Sequence, residues 1–293
     1  MKRYTITSVS HYRYSHPATH GYHMARLVPS RRADQRLESA DLSVEPPTSR
    51  HGVERDFFSN PVHWFSVDGP HEELVLTMRA QVQVARPPSL LVPSLDWQHV
   101  AGSAGGSTSL EPASPAHFLR PTLRTQADAA LRIFAARHFG PGTPVGQAVD
   151  TLNQTIKAEL TYDSEATDVD TTAIDAFAKR AGVCQDFAHI MIAACRAMGV
   201  PARYVSGYIR TAPPPGRPRL EGVDAMHAWV SVWMGPDSGW QDYDPTNGCA
   251  VGEDHITVAL GRDYQDTAPV RGEVVGSGEQ SHTVAVDVLE LAS

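Results

Sequence analysis

Cysteine is scarce in this chain, with three in 293 residues, at positions 184, 195 and 249. A sparse, odd count argues against a disulfide framework and predicts free thiols, as a reducing cytoplasm would keep them. Runs of about 18 apolar residues are missing, so no helical membrane span is expected. The N-terminus, Met1-Lys2-Arg3-Tyr4-Thr5-Ile6-Thr7, alternates polar with apolar where a secretory leader would carry an unbroken apolar stretch. A cytoplasmic location is therefore expected. Long runs of one charge are also missing. The net charge of −8 is dispersed, and Arg26 to Arg36 is a brief basic stretch interrupted by Asp34. Neither a nucleic acid nor an anionic membrane is expected as a partner. His11, His16, His20 and His23 show no ligand spacing, and no His-Glu-x-x-His occurs, so no metal is expected. Gly102 to Gly106 lacks the Lys-Ser or Lys-Thr of a phosphate loop, and no Cys-x-x-Cys supports a redox role.

What remains is a strongly patterned chain. Period-two alternation at Tyr4–Val9, Leu42–Val44 and Glu73–Val84 predicts a β-rich domain over 1–87, packed as a sandwich. Glu45-Pro46-Pro47, Ser59-Asn60-Pro61 and Asp68-Gly69-Pro70 read as its turns. Residues 88–123, rich in Pro, Gly and Ser, read as a linker or long loop. From 124 helical spacing takes over: Ala129, Leu131, Ile133 and Phe134, then Val149, Leu152, Ile156 and Leu160, with Pro144 at a helix start. A short helix near Thr172–Lys179 precedes one from Cys184 that Gly199 and Pro201 stop. Strands follow at 202–210, 225–234, 240–243 and 256–260, and around Val274 and 283–289. Helices followed by strands give an α+β catalytic domain, 124–293, with an antiparallel sheet.

Three residues in this domain suggest chemistry. Cys184 opens its helix, where unpaired N–H groups and the macrodipole favour a thiolate. Gly182 leaves room for a close backbone approach, and Gln185 and Asp186 are polar company for a core thiol. Cys195, deep in the same helix, reads as a small apolar core residue. His227 begins the strand Trp229-Val230-Ser231-Val232-Trp233 and is suited to proton transfer, although a strand histidine is more often structural. Asp244 ends the next strand at a turn, where an Asx-turn is the bland alternative. Asp242 lies on the same strand face, and periodicity does not separate the two.

Four motifs in fixed order carry a resemblance. They are Gly182-Val183-Cys184-Gln185-Asp186-Phe187-Ala188-His189, Gly199-Val200-Pro201-Ala202-Arg203-Tyr204-Val205-Ser206-Gly207-Tyr208, His227-Ala228-Trp229-Val230, and Trp240-Gln241-Asp242-Tyr243-Asp244-Pro245-Thr246-Asn247. Together they resemble the bacterial transglutaminase-like family, with its papain-like Cys-His-Asp core. The first eighty-odd residues are similar to the family's N-terminal region, except that Ser59 stands where a glycine is expected. The resemblance implies Cys184 as nucleophile, His227 as general base and acid, and Asp244, immediately before Pro-Thr, as the orienting carboxylate. The Cys184 N–H would be the first oxyanion donor, with Gln185 and Tyr162 as candidates for the second, and Asp186 as a cap of the first helical turn. The implied reaction is acyl transfer at an amide or peptide bond of a peptide or protein through a thioester, without a cofactor, with hydrolysis expected over amine transfer. The alternative is a peptide-binding module whose triad is idle.

Overall fold

The computed structural model describes residues 1–86, 94–211, 225–276 and 278–291. The N-terminal strands are β1 (Lys2–Ala25), β2 (Gln35–Glu45), β3 (Arg50–Arg55) and β4 (Pro61–Val84). Helices α1 (Trp97–Gly105), α2 (Ala129–Ala136) and α3 (Val145–Glu159) follow, then β5 (Thr161–Tyr162), α4 (Ala173–Lys179), β6 (Ala181–Gly182) and α5 (Cys184–Ala197). The rest is β7 (Ala202–Ile209), β8 (Ala225–Trp233), β9 (Trp240–Asp244), β10 (Cys249–Ala250), β11 (His255–Gly261), α6 (Tyr264–Thr267), β12 (Val270–Val275) and β13 (Gln280–Glu290). This is the α+β class that the sequence pattern implies, and no helix among the described residues is long and apolar enough to cross a membrane.

Alternation over the first 84 residues produces two very long antiparallel strands, β1 and β4, paired from Lys2↔Val84 to Ala25↔His63. β2 and β3 flank different halves of β4, while β13 and β12 flank different halves of β1. The result is one six-stranded sheet whose two halves feed a single buried cluster: Tyr4, Ile6 and Leu76 from one half, Phe65 and Val67 from the other. Asp68-Gly69-Pro70, expected as a turn, lies inside β4. The ladder slips there, between Ala18↔His71 and His20↔Asp68, and Gly69 takes φ +92°, so the glycine makes a bulge in a continuous strand. The last two strands, expected with the catalytic domain, complete this N-terminal sheet, because β1 is long enough to leave an edge that only the C-terminus covers.

The stretch expected as a linker is also different. Residues 88–93 of it lie outside the described residues, but α1 follows, with the Asp96 carboxylate capping the His99 N–H at 2.8 Å. Val100 and Ala104 are buried in the helical core, and Phe118 further on is buried as well. Composition misled here, because Gly102 and Gly105 sit where a small residue suffices and the cap and two apolar anchors hold the turn.

The second half is a five-stranded antiparallel sheet in the order β10-β9-β8-β7-β11, with α5 packed on β7 and β8. Phe187, Ile190, Met191 and Ala194 of α5 enter its core, as their spacing predicts. At the far end of α5 the buried Arg196 guanidinium donates to the carbonyls of Phe118, Arg120, Ala202 and Arg262 and to Thr125 Oγ1. One side chain thereby ties four segments to the helix.

Edge strand β11 joins the two halves. The Gln35 amide exchanges two hydrogen bonds of 2.7 Å with the Thr257 backbone, and the Asn60 amide does the same with Leu260 at 2.7 and 2.8 Å. Each side-chain amide mimics a neighbouring strand and satisfies an edge that would otherwise be bare.

The position where a glycine was expected is explained by the backbone. Ser59 has φ +65° in the turn closed by its N–H on Asp56 O, a left-handed conformation that costs a side chain roughly 1–2 kcal/mol. Ser59→Gly is expected to raise unfolding stability by about 1 kcal/mol, offset in part by chain entropy, as read by urea denaturation. An unchanged or lowered midpoint would show that the Ser59 side chain contributes something the turn needs.

Candidate active site

Two strands and one helix start bring the site together. Cys184 is the first residue of α5, partly exposed, and its entry is shaped by Asp186, whose carboxylate accepts the Val183 N–H at 2.8 Å and the Thr167 hydroxyl at 2.6 Å. This is the capping role expected for Asp186. It also gives Gly182 a different reason from the expected one: a Cβ there would lie 2.5 Å from Asp186 Oδ2, so the glycine makes way for the cap.

His227 sits on β8 opposite Gly207 of β7. Gly207 has no room for a Cβ, which would meet Ile256 O at 2.2 Å and the Trp229 ring at 2.4 Å. The Trp229 ring occupies that space and is fully buried. Its Nε1–H donates to Asp242 at 3.2 Å, so Asp242 serves the tryptophan and not the histidine.

Asp244 is fully buried and receives five donors. The His227 Nε2–H donates to Oδ2 at 2.8 Å, the His255 Nε2–H at 3.0 Å and the Asn247 amide at 2.6 Å. The Thr246 and Asn247 backbone N–H groups donate to Oδ1 at 3.0 and 3.1 Å. The expected Asx-turn and the expected orienting carboxylate are thus one residue doing both. Burial alone would raise the Asp244 pKa, but the hydrogen bonds from His227 and His255 outweigh it and hold the carboxyl far below the usual range.

His227 hydrogen-bonds Asp244 on one side, and the Cys184 thiol is its other titratable neighbour. With Nε2 turned to the carboxylate, Nδ1 is the nitrogen left for sulfur. Burial would lower the His227 pKa, yet the bond to Asp244, then the nearby Cys184 sulfur, and the charge on both raise it to about 10. A helix-start thiol, a polarised imidazole and a buried carboxylate in line are the parts of an activated nucleophile.

His255 was not among the residues singled out in the sequence. It lies on β11, its Nδ1 accepts the Gly252 N–H at 3.4 Å, and its ring meets Trp229 edge-on at 5.4 Å. That leaves its Nε2–H to face Asp244. No periodicity distinguishes it from a core histidine, since only the tertiary pairing of β11 with β7 brings it to the carboxylate. The His227, Asp244 and His255 ligand atoms lie within 4.8 Å of one another, the residue types of a metal site. Each imidazole faces the carboxylate at hydrogen-bond distance, however, and both carboxylate oxygens are already filled by donors.

Of the two candidate oxyanion side chains, Gln185 is buried and donates its amide to Val169 O at 3.1 Å, anchoring the loop before α4. Tyr162 pairs with Gly182 in the short β5–β6 ladder and is 55% exposed. Burial first, and then the nearby Cys184, raise its pKa. Cys195 behaves as a core residue, its thiol pushed up to about 12 by burial. All three cysteines are free, so no disulfide links Cys184 to Cys249.

Comparisons with known proteins identify the family and the fold. The profile of the transglutaminase-like superfamily matches residues 133–245, and that of the bacterial transglutaminase-like N-terminal region matches 4–83. An uncharacterized Mycobacterium tuberculosis protein is 37% identical over 294 residues, covering 98% of this chain and 92% of that one. A protein-glutamine gamma-glutamyltransferase of Pseudomonas aeruginosa is 41% identical over 71 residues, 24% of this chain and 10% of that one. A solved structure from Cytophaga hutchinsonii, described only as a candidate cysteine protease, shares the fold. Its TM-score is 0.77 at 23% identity, over 100% of this chain and 91% of that one.

Two measurements check the electrostatics. His227 is expected to titrate by histidine NMR with a midpoint near 10, so the stability its charge contributes is complete below about 6.5 and disappears as pH rises through that midpoint. Asp244→Asn is expected to lower the midpoint by about one unit or more, and an unmoved midpoint would refute the coupling. His255→Ala removes one donor from Asp244 and is expected to slow iodoacetamide alkylation of Cys184 about tenfold at pH 7. His255→Gln, which keeps an N–H, should recover part of the rate.

Proposed function

The chain belongs to the transglutaminase-like superfamily, and we propose that it is a cysteine-dependent enzyme that cleaves amide or peptide bonds in a peptide or protein substrate. The observation that carries this reading is the imidazole of His227 placed between the Cys184 thiol and the buried Asp244 carboxylate. The Cys184 thiolate attacks the carbonyl carbon, forming a C–S bond, and the resulting oxyanion accepts from the Cys184 N–H at the helix start. The Tyr162 hydroxyl is the second donor in this scheme. Collapse breaks the C–N bond while the His227 imidazolium gives its proton to the leaving nitrogen. His227 then removes a proton from water, which attacks the thioester, and the C–S bond breaks to return the thiolate. No step calls for a cofactor.

Partial exposure of Cys184 supports water over an amine as the second nucleophile, since a thioester there stays open to solvent. Free thiols at 184, 195 and 249 support a cytoplasmic site of action.

Peptide mixtures incubated with the protein and a labelled primary amine, read by mass spectrometry, report cleavage, deamidation and amine incorporation in one experiment. Cleavage or deamidation that exceeds amine incorporation is expected. Cys184→Ala or His227→Ala should remove turnover by a factor on the order of 10³ or more, and Tyr162→Phe should lower kcat about 100-fold. Full turnover by Cys184→Ala, or peptide binding without any turnover by the wild type, would overturn the enzymatic reading.

A further inference from the structure

The largest cavity among those described, about 600 Å³, does not include the catalytic residues. It opens on the seam between the N-terminal sheet and the catalytic half, and four arginines line it: Arg26, Arg120, Arg262 and Arg271. In a chain of net charge −8 this is a local reversal of sign.

Two acids in the cavity do not cancel it. The Asp56 carboxylate is occupied by the Phe58 and Asn60 N–H groups, the Asn60 amide and Arg26 Nε. Asp266 is occupied by Arg262, whose Nε and Nη2 donate at 2.8 and 3.0 Å. Among the described residues neither Arg120 nor Arg271 has a carboxylate partner; Arg271 Nη1 donates only to Gln265 O. Arg26 provides an independent sign. The residue is 9% exposed, and its Nη1 is buried without an acceptor. A guanidinium N–H removed from water and left unpaired is costly, which favours an added acceptor here.

We propose that this cavity is a subsite for a carboxylate side chain of an acidic peptide. Guanidinium groups bind carboxylates through paired, charge-assisted hydrogen bonds, which suits Arg120 and Arg271 in the same lining as Arg26. Phe57 lies in the same lining, 55% exposed, with its ring edge-on to His117 at 5.0 Å. It offers an apolar platform for the residue next to the acid. A peptide therefore fits better than a bare anion.

The location relates the cavity to the catalytic cysteine. Arg196 of α5 hydrogen-bonds the carbonyls of Arg120 and Arg262, so the cavity lies against the end of α5 remote from Cys184. Twelve residues of helix correspond to roughly 18 Å, so the subsite is remote from the thiol. The consequence for turnover, a preference for an acidic residue about that far from the scissile bond, rests on the function proposed above. Binding does not depend on it.

The test uses the full chain carrying Cys184→Ala, so that bound peptide is not consumed. A rhodamine-labelled octapeptide containing Phe-Glu-Glu is titrated by fluorescence anisotropy beside its Phe-Gln-Gln counterpart. The acidic peptide is expected to bind at least about tenfold more tightly in 50 mM salt, with the gap narrowing in 500 mM salt. The gap should close in Arg120→Ala/Arg271→Ala and in Arg120→Gln/Arg271→Gln, whose exposed side chains carry little of the fold. Equal affinity for the two peptides, or a gap that survives both double variants with unchanged Tm, overturns the proposal. Competition by inorganic phosphate without any difference between the peptides would mark a small-anion site and overturn it as well. If wild-type turnover is absent while the affinity gap is present, the subsite stands and the enzymatic reading fails.

Discussion

A carboxylate with no exposure to water holds this site together. Taken alone, burying the Asp244 charge would be prohibitive, and it is tolerable because five N–H donors converge on its two oxygens. Those donors come from β8, from the turn after β9 and from β11, so the charge can be satisfied only when the sheet is fully assembled. The same dependence gives the site its rigidity. An imidazole bonded to a fixed carboxylate has one orientation and one tautomer, and its remaining nitrogen faces the helix start that carries Cys184.

The N-terminal sheet contributes to that assembly. β11, which supplies His255, is an edge strand, and its outer side is satisfied by the amides of Gln35 and Asn60. Tyr208, Ile256 and Val258 of the catalytic sheet are packed in the same buried cluster as Tyr4, Ile6 and Phe65. Chain ends paired as β1 and β13 close the sheet around this seam. The two halves thus share one buried cluster along this seam, distinct from the helical core, and the family's N-terminal region acts as a structural wall of the five-stranded sheet.

Local pattern was enough wherever local physics decides. The apolar spacing at Phe187, Ile190, Met191 and Ala194 marked α5, and the strand signal around Trp229 marked β8. Cys184 and His227 stood out because each sits at the start of such an element. Pattern failed where composition and context diverge. Gly102 and Gly105 looked like a linker, although Asp96 and two buried apolar residues make the segment a helix. Asp68-Gly69-Pro70 looked like a turn because its glycine takes positive φ readily, and a bulge uses the same freedom.

By itself, then, the sequence determined the order of elements, the α+β class and the residues able to supply a thiol, an imidazole and a carboxylate, since these follow from side-chain chemistry and short-range periodicity. Periodicity left Asp242 and Asp244 on one strand face and the resemblance pointed to Asp244; only the tertiary structure shows why, since Trp229 takes the first while His227 takes the second. It also decided that His255 joins them, that the C-terminal strands complete the N-terminal sheet, and that four arginines distant in sequence line one cavity. Each of these is a contact between residues far apart along the chain, and no local period encodes such a contact.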